Sequence, residues 1–278
     1  MAHCVVPQAE AILDKEYAVL DKGFARLIDY CGSDARVVQS ARVSYGEGTK
    51  TVSQDAALID YLLRHQHTSP FEQVVFTFHL KMPIFVARQW VRHRTARLNE
   101  VSGRYSIMRD EFYVPKIDVI SPQSHDNKQG RSDEAFPVEQ ARQIRDEFSE
   151  GQSASYDSYR KMTEGGLARE LARINLPLAL YTEFYWQMDL HNLMRFLKLR
   201  LDSHAQYEIR EYAQVILKIA ETVCPLSIAA FQNHINKAVT FSAEEYDALK
   251  SLLEGKENPL TDKKLARFTE KLNSGTQL

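Results

Sequence analysis

The sequence predicts a mixed α+β fold in a single domain, with an antiparallel sheet and helical layers. Three observations carry this prediction. Residues 73–81 (QVVFTFHLK) and 182–188 (TEFYWQM) alternate apolar and polar side chains and are rich in β-branched and aromatic residues, the mark of strands with one buried face. Residues 205–223 carry Ile209, Tyr212, Ile216, Ile219 and Ala220 on one side of an amphipathic helix. A chain of 278 residues, 44% hydrophobic and 26% charged, is long enough for a full core.

In chain order, residues 1–18 read as an extension of weak helical character, and the alternation in 24–30 reads as a strand. Helices are predicted over 34–43 and over 54–64, the second behind a Ser53 cap with Ala57, Leu58, Tyr61 and Leu62 at helical spacing. Strand 73–81 should lead directly into a helix beginning at Pro83, a residue tolerated at the first helical position. Residues 118–136 are polar and turn-rich and read as an exposed insertion. Further helices are expected over 138–162, over 167–175 until Pro177 ends it, and over 191–200. After Thr240 the tail reads as two short charged helices separated near Asn258-Pro259.

With 35 basic against 37 acidic residues, the chain as a whole is no polyelectrolyte binder of nucleic acid. Cys4, Cys31 and Cys224 are widely separated and form no C-x-x-C pair, which argues against a disulfide framework or a cysteine-rich zinc site and suits a reducing cytoplasm. The N-terminus has no basic leader followed by an apolar run, and no segment approaches ~20 uncharged apolar residues, so neither secretion nor membrane spanning is expected. His65 and His67 lack a third ligand at useful spacing, so no metal is expected.

The chemistry concentrates in residues 88–105, which hold Arg88, Arg92, Arg94, Arg97 and Arg104 against the single carboxylate of Glu100. Arginine is always charged and offers a fork of donors suited to phosphate, so the cluster points to a phosphorylated small molecule. On a helix starting at Pro83, residues Ile84, Ala87, Trp90 and Val91 form an apolar face, with Arg88, Gln89 and Arg92 opposite. Spacing alone leaves a solvated basic face equally open.

The string RHRTARLNEVSGRY, with Arg92-His93-Arg94 followed after seven residues by Ser102, resembles the signature of the flavin-dependent thymidylate synthases. The resemblance extends from about Leu20 to about His234 and gives a catalytic domain over 20–237, between an N-terminal extension, 1–19, and a C-terminal helical extension, 238–278. Arg97 departs from it, since the family usually has a small residue there. The implied reaction is reductive methylation of dUMP to dTMP, with methylenetetrahydrofolate as carbon donor and NADPH-reduced FAD as hydride carrier, in a homotetramer whose sites are shared between subunits.

The resemblance also implies residue roles. Ser102, Gly103 and Arg104, with Arg173 from a neighbouring subunit, would hold the nucleotide phosphate, while Gln89, Trp90, Val91, Arg92, Glu100 and Val101 would complete the dUMP pocket. Arg200 would contact the uracil ring and favour ionisation at N3, because a fixed cation beside an N–H stabilises its conjugate base. Facing FAD would be Arg92, His93, Arg94, Asn99 and Glu100, together with Ser44 and the His67, Ser69 and Glu72 of a His-x-[Thr/Ser]-Pro-Phe-Glu segment. Asp189, Leu190, His191, Arg195 and His204 would line the flavin from the other strong segment; asparagine is common in the family at the first and fourth of these. No G-x-G-x-x-G turn is present, so the flavin must be held otherwise than on a Rossmann turn.

None of the three cysteines belongs to an arginine-rich motif that could lower a thiol pKa, so hydride delivery is expected to replace thiolate attack on uracil. Two other functions compete. One is a nucleic-acid module stacking bases on Trp90 and Tyr105; the other is a scaffold whose arginines bridge subunits.

Overall fold

Strands β1 (Tyr17–Val19), β2 (Gly23–Cys31), β3 (Val75–Pro83), β4 (Arg97–Glu100) and β5 (Tyr181–Asp189) pair antiparallel in one sheet of order β1-β2-β3-β5-β4. The computed structural model describes residues 4–43, 53–125, 129–132 and 134–274. Helices α1 (Pro7–Glu10), α2 (Asp34–Arg42), α3 (Ser53–Arg64), α4 (Ile84–Trp90), α5 (Val138–Glu164), α6 (Arg169–Ala172), α7 (Leu190–Arg200), α8 (Tyr207–Val223), α9 (Pro225–Phe231), α10 (Ala243–Leu253) and α11 (Asp262–Ser274) complete the chain. The expected α+β architecture is therefore what the chain adopts. No helix among the described residues is long and apolar enough to cross a membrane.

The two alternating stretches are direct neighbours, β3 and β5, in register from Val75 opposite Asp189 to Pro83 opposite Tyr181. Their alternation puts Phe76, Phe78 and Leu80 with Phe184, Trp186 and Met188 in the core. Trp90 from α4 sits there too, its ring 4.4 Å from Phe196 of α7, 5.1 Å from Trp186 and 6.1 Å from Tyr212 of α8. Each fully buried aromatic removes a large apolar area from water, and this cluster fixes the C-terminal end of α4 against α7 and α8. The Tyr212 hydroxyl donates to the Lys81 carbonyl at 2.6 Å. Gly23 makes that approach possible, since a Cβ there would lie 1.9 Å from the Tyr212 oxygen.

Several elements depart from the sequence-based expectation. The β3–β5 ladder continues to Pro83, which is extended (ψ 145°), so α4 begins one residue later at Ile84. The helix expected over 167–175 is a single turn, α6, followed by a 3₁₀ turn at Arg173–Asn175. Gly166 (φ +87°) ends α5, Ala168 is extended, and too few residues remain before Pro177 for more. At the end of the expected N-terminal extension, Tyr17–Val19 adds a strand to β2; three residues are too few to display a period. Described parts of the 118–136 insertion are tied down, with Ile120 buried and Arg131 donating to the Val119 carbonyl at 2.6 Å and to Glu208 of α8 at 2.6 Å.

The chain divides into two compact units, one up to Ile228 and one from Ala229. The second has its own small core of Ala248, Leu260 and Phe268 with Phe241 and Leu249 against it. As expected, the tail holds two helices, and the first is started by a Ser242–Glu245 capping box whose carboxylate also receives Lys271 at 2.6 Å.

Candidate active site

Within the first unit the candidate residues gather in three places. The first lies where the C-terminus of α4, the turn 91–96 and α7 converge. It is a cavity of about 280 Å³ lined by Arg92, His93, Arg94, Thr95, Met188, Asn192, Arg195, Leu199 and Arg200. Arg200 sits in the last turn of α7 and is aimed by two acceptors: its Nε donates to His93 Nε2 at 3.0 Å and its Nη2 to the Gln89 carbonyl at 3.3 Å. A guanidinium only donates, so Nε2 of His93 presents its lone pair and the ring proton sits on Nδ1. Burial, and after it the charges of Arg200 and Arg195, lower the His93 pKa from 6.5 to about 4, which keeps the imidazole neutral. Burial also pulls Arg200 downward, though an arginine remains a cation in any protein setting. The result is a concave surface with fixed positive charge and a neutral imidazole, suited to anionic or electron-rich oxygen and nitrogen atoms.

The second place is the turn after β4. Val101 N donates to the Glu183 carbonyl at 2.9 Å, and Ser102 closes a turn in which its Oγ accepts from Arg104 N at 3.3 Å. Gly103 is buried beneath Arg173: a Cβ would lie 3.1 Å from Arg173 Cδ, 3.3 Å from its Nη1 and 2.7 Å from Met108 Sδ. Arg104 Nε donates to Glu170 at 3.2 Å, and both side chains are exposed. The expectation set Arg173 on a different subunit from 102–104, whereas here they form one cluster of one chain. Glu100, just before this turn, accepts from the Thr182 hydroxyl at 2.5 Å, and Asn99 lies opposite Tyr185 on exposed β4.

The third place is a cavity of about 680 Å³ between α2, α3 and the turn before β3, with His67 and Ser69 on its wall beside Tyr61 and Val43. Glu72 is exposed nearby, 3.5 Å from the Thr68 hydroxyl. Ser44 lies outside the described residues.

Other assignments meet constraints. Trp90 is fully buried, so its indole is a core group; any nucleotide contact there uses backbone, and base stacking on Trp90 is excluded. Leu190 is likewise fully buried. The Asp189 carboxylate caps α7, accepting from Asn192 N at 2.9 Å and Asn192 Nδ2 at 2.8 Å, and His191 follows in the first turn. His204 is exposed and bonded to Asp202 at 2.9 Å. Arg97, the departure from the signature, donates across the sheet to Gln187 at 3.1 Å and so has a structural partner. Sequence reasoning missed Asn192, which lines the first cavity, and Gln206, whose Oε1 accepts from Gln89 Nε2. Its spacing, three residues before Arg195 and seven before Leu199 on one helix face, could have marked the former; nothing local marks the latter.

Cys224 is fully buried, and burial followed by the Asp34 charge pushes its thiol well upward, the opposite of nucleophile activation. Cys4 sits 3.0 Å from the Ser33 hydroxyl, and Cys31 ends β2; neither lines the arginine cavity. Among the described residues no group of three or more His, Cys, Asp or Glu side chains could hold a metal ion.

Comparison with known proteins gives a consistent outcome. Residues 26–226 match the family model described as thymidylate synthase complementing protein. Residues 239–278, which the signature did not reach, match the model of a thymidylate synthase ThyX C-terminal domain. A flavin-dependent thymidylate synthase of Treponema denticola is 62% identical over 266 residues, covering 96% of this chain and all of that protein. The Thermus thermophilus enzyme of the same name is 57% identical over 235 residues, 84% of this chain and 85% of that one. A solved UMP/dUMP methylase, PolB from Streptomyces cacaoi bound with 5-Br UMP, superposes with a TM-score of 0.71 at 29% identity, covering 78% of this chain and 97% of its own.

Proposed function

This chain belongs to the flavin-dependent thymidylate synthase family, and from that premise we propose how its residues divide the conversion of dUMP to dTMP. The activity is reductive methylation of the uracil ring, with FAD as cofactor and methylenetetrahydrofolate and NADPH as co-substrates. Bound FAD supplies the hydride. The chain's own work is to bind, orient and polarise.

The observation that carries the assignment is Arg200, held between His93 Nε2 and the Gln89 carbonyl inside an arginine-lined cavity. A cation fixed in this way favours the electron-rich, N3-ionised form of uracil without having to reorganise during reaction. Arg92 and Gln89 orient the nucleotide from the same side. His93, neutral and protonated at Nδ1, and Arg94 and Arg195 offer donors suited to a flavin's carbonyl oxygens or its pyrophosphate, so the donor set fits FAD. His67 and Ser69 with the second, larger cavity would take another part of that extended molecule.

Ser102, Gly103, Arg104 and Arg173 would clamp the phosphate. Gly103 lets Arg173 approach the backbone, and Glu170 holds Arg104 until a phosphate displaces it. The clamp and the Arg200 cavity are separate clusters of one chain, which supports pockets made from the clamp of one protomer and the cavity of another. Apolar side chains around both are exposed, among them Val91, Leu98, Val101, Tyr105, Ile174 and Leu199. Such a surface fits coverage by further copies in a homotetramer.

The test is a spectrum followed by mixing. The purified protein should show flavin absorbance that bleaches under NADPH without oxygen and should form dTMP from dUMP and methylenetetrahydrofolate; failure to bind FAD refutes the reading. Inactive Arg173→Ala and Arg200→Ala chains, mixed into hybrid oligomers, should regain activity in pockets holding both wild-type groups. Inactivity after verified subunit exchange refutes the shared pocket.

A further inference from the structure

We propose that Glu208 is a positioning residue that fixes, through Gln206, which end of the Gln89 amide faces the nucleotide, so that Gln89 presents its carbonyl oxygen as an acceptor. The inference rests on the placement of Gln89 in the nucleotide pocket. Glu208 lies in the first turn of α8 and is 3% exposed, an unusual place for a carboxylate. Its Oε1 accepts from Arg131 Nη2 at 2.6 Å and from the Tyr113 hydroxyl at 3.2 Å. Its Oε2 accepts from Gln206 Nε2 at 2.8 Å, and Gln206 Oε1 in turn accepts from Gln89 Nε2.

Polarity in this chain is set at one end and transmitted to the other. Arg131 can only donate, and its second arm is tied to the Val119 carbonyl at 2.6 Å, so the atom of residue 208 that meets it must be an oxygen. A carboxylate paired with a guanidinium offers acceptors alone, so Gln206 must turn its NH₂ toward Glu208 and its carbonyl toward Gln89. Gln89 then spends an N–H on Gln206 and keeps its carbonyl oxygen for the pocket. The backbone carbonyl of Gln89 also receives Arg200, so one residue aims the cation and supplies the acceptor. The pocket favours uracil ionised at N3, so the donor that dUMP keeps for the Gln89 oxygen is the sugar 3′-hydroxyl.

Glu208→Gln should invert the relay, because Arg131, which can only donate, still demands oxygen at its end. The introduced amide then points its NH₂ at Gln206, Gln206 flips, and Gln89 flips to present N–H against a substrate donor. Such a mismatch should raise the KM for dUMP about 10-fold while kcat stays within about 2-fold, with FAD content and the KM for methylenetetrahydrofolate unchanged. Combining Glu208→Gln with Gln206→Glu restores an acceptor facing Gln89 and should bring the dUMP KM back to within about 2-fold of wild type. A merely structural role for Glu208 predicts no rescue. Gln206→Ala, on an exposed residue that folding tolerates, should raise the dUMP KM about 3-fold.

Equilibrium binding of dUMP to the FAD-loaded protein separates the two levels of the argument. If Gln89→Ala leaves dUMP affinity unchanged, Gln89 is not in the pocket and the proposal falls with that placement. If Gln89→Ala weakens binding but Glu208→Gln does not, or if the double variant is as impaired as Glu208→Gln alone, the relay is refuted. With 2′,3′-dideoxy-UMP the difference between wild type and Glu208→Gln should vanish, and its persistence would refute the contact to the 3′-hydroxyl.

Discussion

Replacing Arg200 with alanine should release His93. In the wild-type protein the imidazole is held at about 4 by burial first, then by Arg200 and Arg195. Charges roughly 4 Å apart interact by about 1 kcal/mol in water and about 4 kcal/mol at an effective dielectric of 20. Since His93 is half-buried and one pH unit is about 1.4 kcal/mol, loss of the guanidinium and entry of water should raise His93 by about one to two units, to about 5–6. The Nε2 lone pair would also lose its 3.0 Å donor, freeing it to take a proton. Nitrogen-edge NMR titration of His93 measures this, with a His93→Gln chain to assign the resonance, and the wild-type ring should show the Nδ1–H tautomer throughout neutral pH. Linkage gives a second readout. A histidine depressed in the folded state leaves the unfolded chain binding more protons between about 4 and 6.5, so its contribution to stability is complete above that window and is lost as pH falls through it. The variant should therefore lose less stability over that interval. A His93 value still near 4 in folded Arg200→Ala, or a wild-type Nε2–H tautomer, would refute the reasoning.

Arg104→Ala should weaken dUMP binding by about 10- to 150-fold, the usual cost of ~1.5–3 kcal/mol for a charge-assisted bond, and leave FAD binding unaffected; titration calorimetry checks it. Glu170→Ala removes the carboxylate that competes for the same guanidinium, so it should shift dUMP affinity in the opposite direction in the same assay. The combined Cys4→Ser, Cys31→Ser, Cys224→Ser variant should still form dTMP from NADPH, FAD, dUMP and methylenetetrahydrofolate; a folded, FAD-bound variant making none would implicate a thiol. Trp90→Ala should cost about 3–5 kcal/mol in urea unfolding, and Trp90→Phe markedly less, because it also removes a buried indole N–H with no partner among the described residues.

What could be read from the chain was whatever repeats or travels as a contiguous string. Strands β3 and β5 announced their core face by period, and α8 announced its buried stripe by spacing, so the centre of the fold was legible. The RHR signature named one wall of the Arg200 cavity, Arg92 to Thr95, and the 102–104 turn. Their grouping was hidden, because it depends on pairs 107 and 70 residues apart, His93 with Arg200 and Gly103 with Arg173. Trp90 shows the converse: its place within the signature suggested ligand contact, but the packing of Phe196, Trp186 and Tyr212 around it makes it core. Gln206 and Glu208 belong to no motif, since a relay joined through side-chain amides leaves no periodic trace.

Gly23 carries no functional group and lies on β2, yet its freedom to lack a Cβ bears on tolerance to mutation. Any side chain there displaces the Tyr212 hydroxyl, whose ring abuts Trp90, and Trp90 anchors the end of α4 that bears Gln89. A genetic screen for thymidine auxotrophy should therefore recover Gly23 substitutions beside those of the arginines. The two classes would separate by temperature: a misplaced tyrosine can be accommodated in the cold, whereas a missing guanidinium cannot be replaced at any growth temperature.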